Sequence, residues 1–341
     1  MSEDKKRILT GIRPTGALHL GHYAGALENW LRLQDEYDCF FLIADYQVSD
    51  KADDIDSVRE AVREIALDWL AVGLDPERSH FVIESLIPEH AELTLWLSWW
   101  LPLGMLQRNP TLKAEMAELG SNSVPVAFFN YPVMQVANIL MPKAHLVPVG
   151  EDQLPHIEMT REVARRFNRL YGQVFTEPKG LVSRVPRLVG LDGNTKMGKS
   201  LDNAIYLKED AEAVTKKVMR MFTDPTRLHA TDPGHVEGNP VFAYHDAFNP
   251  DTVEVQDLKD RYVAGKVGDV EVKQKLAAAL NTMLDPIRER RAYYEARPDM
   301  VREALASGSA HARKIAQQTM AEVREALKLT KLGPQDRSGA P

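Results

Sequence analysis

Two pairs of residues in this chain have types and spacings suited to phosphate chemistry. His19 and His22 bracket Leu20-Gly21 in "TGIRPTGALHLGHYAG", and Lys196 and Lys199 bracket Met197-Gly198 in "DGNTKMGKS". A glycine-rich turn lets backbone and ligand approach closely, and a helix N-terminus favours an anionic phosphate. Two imidazoles at such a place can donate hydrogen bonds to phosphate oxygens. Two lysines on a flexible loop supply mobile cations for a leaving pyrophosphate. Each signal alone is weak, because HxGH also describes ordinary helix-start histidines and KxxKS an ordinary lysine-rich loop. "GNTKMGKS" lacks the first glycine of a P-loop at the required spacing. A zinc reading of the two histidines fails for want of a third ligand nearby, so no protein metal site is assigned.

The elements that must position these residues alternate in the first half of the chain. "RILTGI" reads as a strand, "GALENWLRLQDEY" as an amphipathic helix and "CFFLIAD" as a strand inside a parallel sheet. "SVREAVREIALDWLAVG" reads as a helix capped by Ser57 and closed by Gly73, followed by the strand "HFVIES" and the Pro-initiated helix "PEHAELTLWLSWWL". After a polar stretch over 109–123 come the helix "YPVMQVANILM", the strand "HLVPVG" and a long helix from about Glu151 to Tyr171. This alternation predicts an α/β fold, a doubly wound parallel sheet with helices on both faces. Ligands of such sheets bind outside the carboxyl ends of the strands, and "TGIRPTGALHLGH" follows the first strand. From about Lys208 onward only helical patterns remain. The expected organisation is a sheet domain over 1–205 ending in the "KMGKS" loop, an all-α domain over 206–330, and a disordered tail over 331–341.

Bulk properties set the class. At 341 residues, with 44% apolar and 27% charged residues, the chain is long enough for two well-cored domains of an ordinary soluble protein. No signal-type apolar stretch follows Met1-Ser2-Glu3-Asp4-Lys5-Lys6-Arg7. The longest oily segment, Leu93 to Leu106, is broken by Pro102 and falls short of the about 20 residues that span a bilayer. A cytoplasmic protein without membrane contact is expected. A single cysteine, Cys39, excludes a disulfide framework and reads as a buried thiol. The net charge of −7 argues against nonspecific nucleic-acid coating, and the basic runs "TREVARRFNRLYG" and "DPIRERRAYYE" read as solvated helix faces. Trp96, Trp99 and Trp100 read as a core stripe.

In this order along one chain, "HLGH" and "KMGKS" resemble the HIGH and KMSKS signatures of the class I aminoacyl-tRNA synthetases. Within that class the chain is similar to the tryptophanyl-tRNA synthetase family. The likeness runs through "GIRPTGALHLGHYAGAL", "YPVMQVANIL", "VPVGEDQLPHIEMTREVARRFN" and "KMGKSLDNAIYL", and covers roughly residues 7 to 330. It implies a Rossmann-like activation domain and an anticodon-binding helical domain over 206–330. The implied reaction is attack of the tryptophan carboxylate on the α-phosphate of ATP, with Mg2+ on the phosphates, followed by transfer to the 3′ end of tRNA(Trp). No covalent enzyme intermediate is involved, so catalysis rests on positioning and electrostatics. By motif position His19, His22, Lys196 and Lys199 are the catalytic candidates. Arg13, Pro14, Thr15, Gly21, Gly150, Glu151, Asp152, Leu188 and the loop Lys196, Met197, Gly198, Lys199, Ser200 match the ATP site. Tyr131, Gln135, Asn138, Val147, Val149 and Gln153 match the amino-acid site. A homodimer is implied.

Three departures from the family pattern bear on substrate and rate. Asn138 stands where the family commonly has an acidic partner for the indole N–H; its amide oxygen accepts one hydrogen bond without a charge. Gln135 is a further polar group in that pocket and resembles the tyrosyl relatives. Gly198 replaces the serine of the signature, which removes a hydroxyl and loosens the loop. The competing readings are a tyrosyl-tRNA synthetase or an enzyme of relaxed aromatic specificity, a non-aminoacylating paralogue acting as a binding protein, and a small nucleotidyltransferase. Intact His19, His22, Lys196 and Lys199 oppose lost chemistry, and nucleotidyltransferases lack the "KMGKS" loop with a long helical domain.

Overall fold

A computed structural model describes residues 5–119, 125–150, 153–182, 188–193, 197, 201–225, 227, 229 and 231–328. The first half runs β1 (Arg7–Ile12), α1 (Leu20–His22), α2 (Glu28–Glu36), β2 (Asp38–Ile43), α3 (Ile55–Val72), β3 (Ser79–Ile83), α4 (Glu89–Ser98), α5 (Leu103–Arg108), α6 (Pro110–Leu119), α7 (Val126–Leu140), β4 (Leu146–Val149), α8 (Leu154–Tyr171) and β5 (Lys179–Val182). The second half is helical: α9 (Ala211–Met219), α10 (Pro240–Phe248), α11 (Thr252–Val263), α12 (Asp269–Glu295) and α13 (Pro298–Leu327).

All five strands are parallel, in the order β3-β2-β1-β4-β5. The order reverses between β1 and β4, which makes that gap the switch point where a parallel sheet opens a crevice. A local cause widens it. Pro148 in β4 has no N–H to give, β1 and β4 pair only at Ile8 and Leu146, and the Thr10 hydroxyl instead donates to the Pro148 carbonyl at 3.2 Å. Ladder pairing is confined to that one point, and a cavity lined by both strands opens beside it.

Apolar residues on alternating sides of the strands feed two cores. Ile8, Cys39, Phe41, Ile43 and Phe81 pack under α3 and α12; Leu9, Phe40, Leu42, Val82 and Val147 pack under α4, α7, α8 and α13. Cys39 is buried as expected, its thiol pushed up to about 12 by desolvation. Both cores cross residue 205: Leu276, Leu280 and Leu284 of α12 join the first, and Ala316, Met320 and Val323 of α13 the second. Helix α13 also covers the β3 edge, where the Ser309 hydroxyl accepts from the Ile83 N–H at 3.0 Å. Gly308 permits this approach, since a Cβ there would collide with the Phe81 backbone.

Some local readings change. Asp54, not Ser57, caps α3; its carboxylate accepts from the Ser57 N–H at 3.2 Å, while Gly73 closes the helix with φ 105°. The polar stretch over 109–123 contains α6, and β5 and α10 have no clear sequence signal. Trp100 is buried, but Trp99 is 57% exposed and does not belong to the core.

Candidate active site

The segment after β1 builds the site's mouth. His19 caps α1: its Nδ1 accepts from the Gly21 N–H at 3.1 Å, and the His22 Nδ1 accepts from the His19 N–H at 3.2 Å. The two rings stand 3.9 Å apart. Burial lowers His19 to about 4 and His22 to about 3, the latter helped by its histidine neighbour. Both imidazoles are therefore neutral near pH 7. With each Nδ1 accepting, the proton resides on Nε2, so each ring offers one N–H donor to an incoming oxygen.

Backbone pairing holds this turn against the segment that follows "KMGKS". The Leu20 N–H donates to the Ile205 carbonyl at 2.9 Å, and the Leu207 N–H to Leu18 at 3.0 Å. On the near side of the loop the Leu191 N–H donates to Asn203 at 2.9 Å. Met197 lies directly over α1, where a Cβ on Gly21 would stand 3.0 Å from its sulfur and 2.9 Å from the His19 ring. The Tyr244 hydroxyl of α10 meets the same sulfur at 3.7 Å and donates to the Val189 carbonyl at 3.0 Å. Thus the "HLGH" turn and the methionine of "KMGKS" are in contact.

A buried ion cluster sets the turn's position from behind. The Asp68 carboxylate of α3 accepts from the Leu18 N–H at 2.7 Å, and its other oxygen accepts from Arg291 of α12. Arg291 also reaches Glu64 at 2.9 Å, and Lys208 reaches Glu64 at 2.8 Å. Arg291 therefore departs from the expected solvated face of "RERR".

A cavity of about 530 Å3 opens at the switch point. Of the expected residues, Arg13, His22, Gln135, Asn138, Val147, Val149, Gly150 and Gln153 line it. Pro14 and Thr15 line an adjoining cavity of about 400 Å3 with Tyr206 and Lys208. His19 and Gly21 flank His22 without lining either cavity, and Leu188 packs against the core. Arg13 is ion-paired with Asp50. The Tyr131 hydroxyl donates to Glu115 at 2.8 Å, and burial raises its phenol. Glu151, Asp152, Lys196, Gly198, Lys199 and Ser200 lie outside the described residues. Among the described residues no group of three His, Cys, Asp or Glu could hold a metal ion.

Sequence reasoning missed the groups at the inner end of the cavity. Gln47 lines it, and behind it the fully buried Glu84 accepts from Asn138 Nδ2 at 2.7 Å, while His90 bonds to Asn138 Oδ1. Gln47 and Glu84 follow the carboxyl ends of β2 and β3, so the strand-end rule could have found them.

Comparison with known proteins agrees with this geometry. Residues 1–285 match the family described as tRNA synthetases class I (W and Y). The tryptophan–tRNA ligase of Treponema pallidum is 52% identical over 95% of this chain and 97% of its own. That of Chlamydia caviae is 46% identical over 96% and 97%. The tryptophanyl-tRNA synthetase of Campylobacter jejuni, solved as a complex with ADP and tryptophan, superimposes with a TM-score of 0.84 at 33% identity, covering 95% of this chain and all of its own. On its motifs, its fold and its relatives, the chain belongs to the tryptophan branch of the class I tRNA synthetases.

Proposed function

We infer that this chain is a tryptophan–tRNA ligase, activating tryptophan with ATP and charging tRNA(Trp) with it. The observation that carries the reading is the contact of Met197 with the "HLGH" turn at the mouth of the switch-point cavity. ATP enters across that mouth. The Nε2–H groups of His19 and His22 donate to its phosphate oxygens, and Lys196 and Lys199 meet the charge that develops on pyrophosphate. Arg13, Gly150, Glu151 and Asp152 hold the rest of the nucleotide, with Pro14, Thr15, Gly21, Leu188, Gly198 and Ser200 shaping the surround. Mg2+ arrives on the ATP phosphates, a hard cation that two neutral imidazoles would not hold.

Tryptophan lies deeper. Val147 and Val149 wall the indole, Asn138 accepts its N–H, and Tyr131, Gln135 and Gln153 surround the ammonium and carboxylate. The helices over 206–330 read the anticodon. A homodimer is supported by apolar surface running from α4 through its C-cap to the start of α5, where Leu95, Trp99 and Leu103 are each more than half exposed. Among the described residues no helix is long and apolar enough to cross a membrane, and a tRNA substrate fits a cytoplasmic enzyme. ATP–pyrophosphate exchange with each of the twenty amino acids tests the assignment. Exchange should be strong with tryptophan alone; a stronger rate with tyrosine would refute it.

A further inference from the structure

The inner wall of the cavity holds a buried polar chain that the reaction as described leaves unexplained. Three donors converge on the fully buried Glu84 carboxylate: the Tyr46 N–H at 3.2 Å, Gln47 Nε2 at 3.4 Å and Asn138 Nδ2 at 2.7 Å. At the other end of the same amide, Asn138 Oδ1 meets His90 Nδ1. Burial holds His90 neutral, with a pKa of about 4, so Nδ1 can carry the single proton and donate it to Oδ1. Turned over, the amide would set its oxygen against a carboxylate and its NH2 against an N–H. Two repulsions would replace two hydrogen bonds.

We propose that Glu84 is a positioning residue for tryptophan specificity: it locks the Asn138 amide in the one orientation that keeps its oxygen an acceptor with a lone pair to spare. The proposal rests on Asn138 as the indole N–H partner. Asn138 lines the cavity and Glu84 does not, so Glu84 acts through the amide and not by touching substrate. All three partners of Glu84 are donors, an arrangement that fits its ionised form. Protonation would turn one oxygen from acceptor to donor, against Asn138 Nδ2, and free the amide to turn.

Desolvation pushes Glu84 up to about 7, with the like charge of Asp45 adding to the rise. The other groups around it are Tyr46 beside Asp45, His90 on α4 behind Asn138, and from α13 the uncharged Ser309 at Ile83. Tryptophan affinity should therefore fall as pH drops through about 7, where the carboxylate takes up a proton.

The experiment compares the native protein with E84Q, N138D and the exchanged pair E84Q/N138D. It reads tryptophan Kd by calorimetry, and exchange kcat and KM for tryptophan and tyrosine. E84Q should raise KM for tryptophan by at least about tenfold with kcat nearly kept, the scale of one lost buried hydrogen bond. N138D, which sets two carboxyl groups against each other, should do at least as much harm. The exchanged pair rebuilds the contact with donor and acceptor reversed and should return KM to near the native value. An E84Q protein with native KM and native discrimination against tyrosine would overturn the proposal, as would a folded exchanged pair no better than the single variants. Should E84Q and the pair fail to fold, the native protein decides alone, and a tryptophan Kd unchanged from pH 9 to pH 5 refutes the lock. Native protein that does not exchange with tryptophan refutes the underlying assignment instead.

Discussion

Gly21 carries a constraint that its two neighbouring histidines do not reveal by themselves. Any side chain there would press on the His19 ring and on the Met197 sulfur, the contact that joins the two halves of the proposed phosphate site. Met197 can bend away, but the His19 ring is held by its hydrogen bond to the Gly21 N–H itself. Gly21→Ala should therefore displace the imidazole more than it destabilises the fold. A shift of about 1 Å at a phosphate donor costs on the order of 100-fold in rate, whereas one extra methyl at this partly exposed turn costs about 1 kcal/mol. Exchange kcat should fall by tens of fold with KM for tryptophan and the melting midpoint nearly unchanged. Native kcat in this variant would mean that His19 and Met197 do not act together. The histidines also fix a pH expectation. Because burial holds both pKa values at about 3 to 4 in the free protein, kcat/KM for ATP should show no histidine limb near 6.5. A limb there would mean that a protonated imidazole meets the phosphates.

At the scale of elements, helix α12 supports the site through Arg291. Arg291 lies on the apolar stripe of that helix, at spacings of four, seven and eleven from Ile287, Leu284 and Leu280. It neutralises Asp68, which in turn holds the Leu18 N–H just before the "HLGH" turn. Arg291→Met should leave a buried carboxylate without its cation, a loss of about 3–5 kcal/mol. Adding Asp68→Asn, which keeps an oxygen for Leu18 while removing the charge, should recover much of that. Denaturant melts of the single and double variants would measure it, and a double variant no more stable than Arg291→Met would separate Asp68 from the effect. This stripe was legible in the sequence by period, yet charge patterning alone puts Arg291 with Arg288 and Arg290 on a solvated face. The strands and the "HLGH" turn were legible for a different reason: apolar runs and Gly-His spacings are local. The Glu84–Asn138–His90 chain was not, because it joins residues 48 and 54 positions apart that only the folded sheet brings together. Nor was β5, whose four residues include a lysine and a glycine and show no alternation.

In the whole molecule the helical half packs its own core, with Val214, Phe242, Leu258 and Tyr262 among its buried residues, and runs that core on into the sheet. Helices α12 and α13 supply buried residues to both faces of the sheet, and α13 closes the β3 edge. Apolar surface remains exposed where α4 leads into α5. Leu95 lies on α4 and Trp99 one turn later at its C-cap, at 61% and 57% exposure, with Leu103 at 57% where α5 begins. Trp99 sits edge-on to Trp96 and Trp100, so its ring rests on a packed base and presents its outer side to solvent. A rigid aromatic of that kind is the usual centre of a protein interface, and truncating one typically costs at least 2 kcal/mol of binding energy. In a two-fold dimer the change is made twice across one interface, which doubles its weight. Trp99→Asp should therefore convert the proposed dimer into a monomer of 38.4 kDa in sedimentation velocity. The melting midpoint of the monomer should stay close to that of the native chain extrapolated to low protein concentration, because Trp99 contributes little to the interior. A variant that sediments as the native protein does would remove α4 from the interface. A native protein already monomeric at micromolar concentration would refute the dimer itself, and the exposed tryptophan would then need another partner.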